Sequence, residues 1–236
     1  MDNQLRHTIA GILIAIYFAV ATVCIITEMF EWKEALVFFK PLLMPTLIAA
    51  YLFASDKKNL IYIVLMLFAL SSNIFLLWST PEFLLYSSIA ILINRILTIY
   101  IVVKLTGKVL LLPFVIATIP FIFVFSCLIN MTMTADSMSF YPTIINGLLI
   151  ASLSGISLSQ YVLNDNRANS WLAISTLLFV VLVFLFMIEK YYISNIAFLP
   201  MSAFVFSIGH YAFYRFVLEA EKPEKEKLYD NGPSLG

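Results

Sequence analysis

The sequence predicts an all-α, polytopic integral membrane protein with eight transmembrane helices. Of its 236 residues, 62% are hydrophobic and only 12% are charged, whereas an ordinary soluble domain has roughly 45–50% and about 25%. A helix needs about 20 mainly apolar residues to cross the hydrocarbon core of a bilayer, and the chain contains eight such runs. The connections between these runs are too short to hold a soluble domain.

The predicted spans are separated by polar segments such as Ser55–Lys58 and Asn164–Ala168. In chain order the spans are Thr8–Thr27, Ala35–Ala54, Asn59–Trp78, Phe83–Val103, Val109–Ile129, Phe140–Leu163, Asn169–Ile188 and Ile196–Leu218. Residues 1–218 are therefore expected to form one transmembrane domain. Residues 219–236 are rich in Lys, Glu, Pro and Gly, a composition that cannot bury a core and predicts a flexible charged cytoplasmic tail.

The positions of Lys and Arg predict that both termini face the cytoplasm, because short cytoplasmic connections are enriched in basic residues. With the N-terminus inside, ten of the 14 basic residues lie on the cytoplasmic side, counting Arg215 in the last turn of the eighth span, and only Lys33 and Lys190 lie outside. The remaining two, Lys40 and Arg95, fall within spans. An alternative for the first span is a cleaved signal peptide, since residues 19–21 fit a small-residue cleavage pattern.

The second span is the first to contain a charge. Lys40 lies only about 8 Å from the outer end at the usual helical rise, so it is either a snorkelling anchor or part of a site. Pro41 and Pro45 leave backbone groups without helical partners and predict a bend of this span near Lys40.

The fourth span carries Arg95 roughly 18 Å below its outer end, close to the bilayer midplane. A charge at this depth costs at least about 2.5–3.5 kcal/mol and marks a functional residue. No span contains an acid away from its last turn, so both cations need neutral acceptors, water or an anionic ligand. One interpretation is a lipid phosphate, which Arg binds through two parallel hydrogen bonds. The other is capping by backbone carbonyls, Asn94 and tyrosines such as Tyr100.

Two asparagines lie at about the depth of Lys40, Asn73 in the third span and Asn146 in the sixth. Together with Lys40 and Arg95, and with Ser71 and Ser72 beside them, they are expected to line one polar cavity that opens outward. The alternative is that each makes an interhelical hydrogen bond that only joins helices. The candidate substrate-binding residues are Lys40, Ser72, Asn73, Asn94, Arg95, Asn146 and His210.

The last three spans differ in character. A stripe of small side chains recurs at every fourth position of the sixth span, formed by Gly147, Ala151, Gly155 and Ser159. It predicts a face that another helix approaches closely, and it is also the candidate docking surface for a protein partner. The seventh span is uncharged. In the eighth, His210 is placed nearer the cytoplasmic end, where a lone His is more often a hydrogen-bonded structural residue than a base.

Several function classes are excluded by the composition and the motifs. The net charge is zero, which removes the basic footprint of a nucleic-acid-binding protein. Two histidines and two cysteines are too few for a metal site rich in these ligands, and the sequence has no nucleotide-binding glycine loop and no hydrolase signature. We therefore expect no metal, no other cofactor and no nucleic-acid partner.

The order of these features resembles the YhhN family, the bacterial relatives of mammalian lysoplasmalogenase. Members have eight spans, a Lys-Pro pair at the start of the second, an Asp-containing stretch followed by leucines at the end of the third, and an aromatic-rich last span. The corresponding stretches here are Phe39–Met44, Ser71–Leu77 and Ser207–Tyr211, followed by Arg215. The resemblance covers nearly the whole chain in span order and implies a protein of the bacterial inner membrane.

The resemblance also implies cleavage of the vinyl-ether bond of lysoplasmalogens, which needs a proton donor and an activated water. In this chain Asn73 stands where the family has an aspartate, Asn94-Arg95 occupies the region where a His is common, and the seventh span has no acid where a Ser-Asp pair is frequent. We therefore expect binding of a lysophospholipid or ether lipid. Arg95 and Lys40 would hold its phosphate, and the asparagines would orient its glycerol or a water.

An alternative function is that of a non-catalytic membrane subunit or scaffold that binds a partner through the small-residue stripe. A transporter is a third interpretation. It is the least consistent, because the halves of the chain show no inverted repeat and no acidic ion-coupling residue.

Overall fold

The computed structural model describes residues 3–78, 80–132, 140–193 and 195–222. Within them the chain is helical and has no strand, as predicted. The helices are α1 Asn3–Met29, α2 Lys33–Phe39, α3 Leu43–Ala54, α4 Leu60–Phe75, α5 Pro81–Thr106, α6 Leu111–Thr132, α7 Phe140–Leu163, α8 Arg167–Tyr191 and α9 Phe198–Glu221. A single 3-10 turn over Lys40–Leu42 joins α2 to α3, so the helices correspond to the eight predicted runs.

Six of these runs are long and apolar enough to cross a membrane, which supports an integral membrane protein. The two others differ for separate reasons. Helix α4 is apolar but has only 16 residues. Helix α9 has 24 residues, but its His210, Arg215 and two tyrosines lower its hydropathy. The prediction of an all-helical membrane protein is confirmed, whereas the count of eight spans stays a prediction for α4 and α9.

Local sequence explains where the helices begin and end. Asn59, Thr80 and Asn166 each precede a helix, and each side chain accepts a hydrogen bond from a backbone N–H of the first turn, which satisfies one of the donors that a helix leaves unpaired. Helix α5 ends at Gly107, whose φ of 82° is a conformation that glycine adopts without the strain of a Cβ.

The bend predicted near Lys40 is present as the 3-10 turn between α2 and α3. Pro41 is the second residue of that turn, and it cannot supply the backbone N–H that a continuous α-helix would need there. The turn lies where α2 and α3 pass the C-terminal end of α1 and the side of α4. It therefore places Lys40 among three helices rather than on an outer surface.

The predicted boundary of the last span requires a correction. Helix α9 continues past Leu218 to Glu221, because the Glu221 carboxylate is buried and accepts hydrogen bonds from the Tyr51 hydroxyl at 2.9 Å and the Ser55 hydroxyl at 2.7 Å. These bonds join the end of α9 to the end of α3. Most of the predicted tail, residues 223–236, lies outside the described residues.

The small-residue stripe on α7 packs against α6 of the same chain. A Cβ built on Gly155 would collide with the Thr118 side chain, whereas one on Gly147 would meet Phe125 at an ordinary 3.7 Å. Close helix approach is the role that the stripe predicts. Helix α6 covers the stripe at these two glycines, so this part of the predicted docking surface is not exposed to a partner protein.

Aromatic residues form much of the core near the centre of the bundle. Tyr17, Tyr51 and Tyr62 are fully buried, and Tyr62 stacks on Phe213 of α9 with ring centroids 6.2 Å apart. The Tyr17 hydroxyl donates a 2.8 Å hydrogen bond to the Ser207 carbonyl, which ties α1 to α9. These contacts hold α1, α3, α4 and α9 together beneath the cavity described next.

Candidate functional site

A cavity of about 450 Å³ lies among α1, the turn before α3, α4, α5, α7, α8 and α9. Its lining reaches the end of the bundle where α1 and α8 terminate, which is the predicted outer side. All seven candidate residues line it, namely Lys40, Ser72, Asn73, Asn94, Arg95, Asn146 and His210. The four side chains expected to share a cavity, Lys40, Asn73, Arg95 and Asn146, thus do so, with Ser72 but not Ser71 in the lining. Their role in binding a substrate stays a prediction.

Arg95 is the most unusual residue of the cavity. It is 6% exposed, and its Nε has no hydrogen-bond partner. Its guanidinium carbon lies 4.6 Å from the centre of the Phe179 ring, a favourable cation–π distance. Across the described part of the chain no carboxylate pairs with it. Burying a cation without a counter-charge costs free energy, so a bound anion would stabilise this group.

The predicted alternative, in which Asn94 and tyrosines cap Arg95, is not formed. The Asn94 amide donates to the Leu65 carbonyl at 2.6 Å, and Tyr100 is 54% exposed on the outside of the bundle. Asn94 therefore joins α5 to α4, which is the helix-joining role that a membrane amide often has.

Lys40 differs from Arg95 because it already has an anionic partner. Its Nζ lies 2.8 Å from a carboxylate oxygen of Glu28, which is 6% exposed. The expectation that no acid would match the two cations is wrong at this position. Helix α1 extends to Met29, two residues past the predicted end of the first span, and this extra length brings Glu28 into the cavity wall.

The two asparagines each retain an unpaired atom. Asn73 and Asn146 lie on α4 and α7, and neither Nδ2 of Asn73 nor Oδ1 of Asn146 has a partner among the described residues. Buried amide atoms are nearly always hydrogen-bonded in proteins. These atoms are therefore available to a bound molecule, which fits the cavity interpretation better than the helix-joining one.

Ser72 contributes less than predicted. Its hydroxyl donates to the Ala69 carbonyl at 2.9 Å, one turn earlier on α4, and its own carbonyl accepts from the Ser87 hydroxyl at 3.2 Å. The donor of Ser72 is thus occupied by the backbone, and the residue mainly joins α4 to α5.

His210 lies deeper than predicted. It is the thirteenth residue of α9, because that helix runs on to Glu221, and it faces the same cavity as Arg95. Its ring centre lies 4.9 Å from that of Phe179 and 4.1 Å from that of Phe206. Arg95 and His210 therefore share one aromatic neighbour, Phe179, at about the middle of the bundle.

Three residues that matter to the site were not among the predicted candidates: Phe179, which packs behind Arg95 and His210, and two acids of the cavity wall. Phe179 gave no signal, since it is one more aromatic in an uncharged apolar span. Glu28 and Glu189 lie just beyond the predicted ends of the first and seventh spans, where acids are expected to be solvated, yet both line the cavity. The lateral position of Glu28 depends on the turn after α1, where Glu31 has a φ of 53°, and no sequence pattern identifies that turn.

The arrangement can bind an anion with polar substituents. It supplies one unpaired guanidinium, two amides with free atoms and an imidazole, and apolar residues such as Leu182 and Leu199 complete the lining. Among the described residues no group of His, Cys, Asp and Glu is placed to hold a metal ion. No protein-family model, no curated protein and no solved structure matches this chain.

Proposed function

We propose that this chain is a lysoplasmalogenase-like protein of the YhhN type that binds a lysophospholipid or an ether lipid in the cavity. The phosphate of the headgroup pairs with Arg95, and the glycerol portion meets Asn73 and Asn146. The single hydrocarbon chain lies along the apolar part of the lining. In this proposal all eight helical runs span a bacterial inner membrane with both termini in the cytoplasm, so the cavity opens to the outer side.

The observation that carries the proposal is the buried guanidinium of Arg95 without a carboxylate partner. Such a charge is tolerated in a membrane protein when a ligand or water compensates it. A phosphate offers two oxygens in the geometry that Arg binds best. A membrane lipid also reaches the site from the bilayer itself, and a cavity of about 450 Å³ is within the size range of small-molecule sites.

Hydrolysis of a vinyl ether is the second candidate function, and the position of Glu28 favours it. Protonation of the vinyl carbon that is not bonded to oxygen gives an oxocarbenium ion, and addition of water to this ion gives a hemiacetal. The hemiacetal collapses to a fatty aldehyde and a free glycerol hydroxyl. Glu28 and Glu189 line the cavity. Glu28, held as a carboxylate by Lys40, would take a proton from the attacking water, and Glu189 would supply the proton to the double bond.

Binding is tested with the purified full-length protein in nanodiscs and a lysophospholipid as the probe. We expect Arg95→Met to weaken binding more than tenfold, because a charge-assisted hydrogen bond contributes about 1.5–3 kcal/mol. Lys104→Met removes an exposed charge from the cytoplasmic end of the same helix and should leave affinity unchanged. Equal affinity of the wild type and Arg95→Met would refute the proposal.

Hydrolysis is tested separately by aldehyde release from a lysoplasmalogen. An active protein should lose this activity in Glu28→Gln while retaining lipid binding. Binding without aldehyde release from the wild type would leave the protein as a lipid-binding protein without this chemistry.

A further inference from the structure

His210 has a defined tautomer in the cavity. Its Nδ1 lies 2.9 Å from the carbonyl oxygen of Phe206, one turn earlier on α9. A carbonyl oxygen only accepts hydrogen bonds, so Nδ1 carries the hydrogen. In a neutral imidazole the other nitrogen, Nε2, is then a hydrogen-bond acceptor.

The position of Arg95 favours the neutral imidazole. The guanidinium carbon of Arg95 and the ring of His210 pack against the same Phe179 ring, at 4.6 and 4.9 Å from its centre. The guanidinium would repel a second positive charge beside the same ring, and no carboxylate pairs with either side chain in the described residues. Nε2 of His210 therefore presents a lone pair and forms no hydrogen bond within the described chain.

The cavity thus holds an unpaired donor cation and a free acceptor that pack against the same aromatic ring. Arg95 offers N–H groups, which require an oxygen acceptor such as a phosphate. His210 offers a lone pair, which requires an O–H or N–H donor. A ligand that satisfies both has an anionic oxygen and a hydrogen-bond donor within a few atoms of each other. The phosphate of a lysophospholipid and its free glycerol hydroxyl meet this condition.

We propose that His210 is a specificity-determining residue whose Nε2 accepts a hydrogen bond from the free glycerol hydroxyl of a lysophospholipid while Arg95 holds the phosphate. This inference rests on the lipid-binding function proposed above. It gives the site a means to reject lipids in which the hydroxyl is esterified, because the lone pair of His210 would then face an ester that cannot donate. A fatty acid offers an anion but no hydroxyl and leaves His210 equally unpaired.

Two substitutions of His210 separate this role from a structural one. His210→Asn keeps an N–H where Nδ1 donates to Phe206 but removes the acceptor at the position of Nε2. His210→Gln places an amide oxygen near the position of Nε2 but loses the donor to Phe206. A residue that serves only to bond Phe206 would tolerate Asn and not Gln, whereas the proposed role requires the reverse.

The experiment measures the affinity of the full chain in nanodiscs for two probes with the same acyl chain. One is a lysophospholipid with a free glycerol hydroxyl, and the other is its deoxy analogue, in which hydrogen replaces that hydroxyl. We expect the wild type to bind the hydroxyl probe about tenfold more tightly than the deoxy analogue. This factor corresponds to the free-energy cost of leaving the buried acceptor of His210 unpaired. His210→Asn should bind both probes equally, and His210→Gln should retain part of the preference.

Each outcome bears on one proposal. Equal affinity of the wild type for the two probes, or an unchanged preference in His210→Asn, would overturn the role of His210 while lipid binding stands. If the wild type binds neither probe, the proposed function fails and the role of His210 fails with it. Melting temperatures of the variants show whether a change in affinity reflects loss of the fold.

Discussion

The guanidinium of Arg95 lies 4.6 Å over the ring of Phe179, and among the described residues this ring is its only charged or aromatic contact. The contrast with Lys40 is informative, because Lys40 forms a 2.8 Å ion pair with Glu28 in the wall of the same cavity. One cation of the cavity is thus neutralised by the protein, and the other is left for a ligand.

The first prediction concerns the stability of the protein when Arg95 is replaced. Removing one partner of a buried ion pair strongly destabilises a protein, because the other charge stays buried and unpaired. Removing a buried charge that has no partner instead relieves a desolvation cost. We therefore expect Arg95→Met to keep or raise the melting temperature in detergent while it abolishes binding of the anionic lipid. Lys104→Met serves as the control for the loss of a charge on α5. A large drop in melting temperature would show that Arg95 has a structural partner.

The second prediction concerns Phe179. Replacement by Leu retains the apolar volume but removes the ring that faces both Arg95 and His210. A cation–π contact contributes about 0.5–2 kcal/mol, so we expect affinity for a lysophospholipid to fall severalfold through the loss of orientation. Phe123→Leu, at an exposed position of α6, is the matched control. Unchanged affinity in Phe179→Leu would show that the ring does not position the guanidinium.

Much of the fold follows from the sequence, for physical reasons that differ between its parts. The helical runs coincide with the apolar stretches because a bilayer requires about 20 apolar residues per crossing. The turn at Lys40 follows from the missing N–H of Pro41, and the packing of α7 on α6 follows from the small side chains at Gly147 and Gly155. Each of these features depends on the type of residue at a given position and on its near neighbours in the chain.

The candidate site was predicted only in part because its remaining features depend on three-dimensional placement. Depth along the helices brought Lys40, Asn73 and Asn146 to one level with Arg95 deeper, and all four line the cavity. The pairing of Lys40 with Glu28 depends on the direction in which α1 ends. The position of Phe179 beside Arg95 depends on the rotation of α8 about its axis, which an uncharged and mainly apolar span does not reveal.

The third prediction tests the ion pair between Lys40 and Glu28. The single variants Lys40→Met and Glu28→Gln each leave a partner unpaired in the cavity wall, so each should lower the melting temperature. The double variant removes both charges and should be more stable than the sum of the two single effects predicts, since the two groups interact directly. Strict additivity of the three melting-temperature changes would contradict the pairing.

The fourth prediction concerns the contact between α6 and α7. Gly155→Ala places a methyl group against Thr118 and the Phe114 carbonyl, so α6 must shift outward. Overpacking of this kind costs about 1–3 kcal/mol, and we expect a clearly lower melting temperature. Gly147→Ala on the same face is the control, because its methyl group would meet Phe125 at 3.7 Å and should be tolerated.

Thr118→Ala combined with Gly155→Ala should restore much of the lost stability, because it removes the hydroxyl that the new methyl group meets. A failure of this rescue would place the strain at the Phe114 carbonyl, and equal stability of the two single glycine variants would argue against close packing at Gly155.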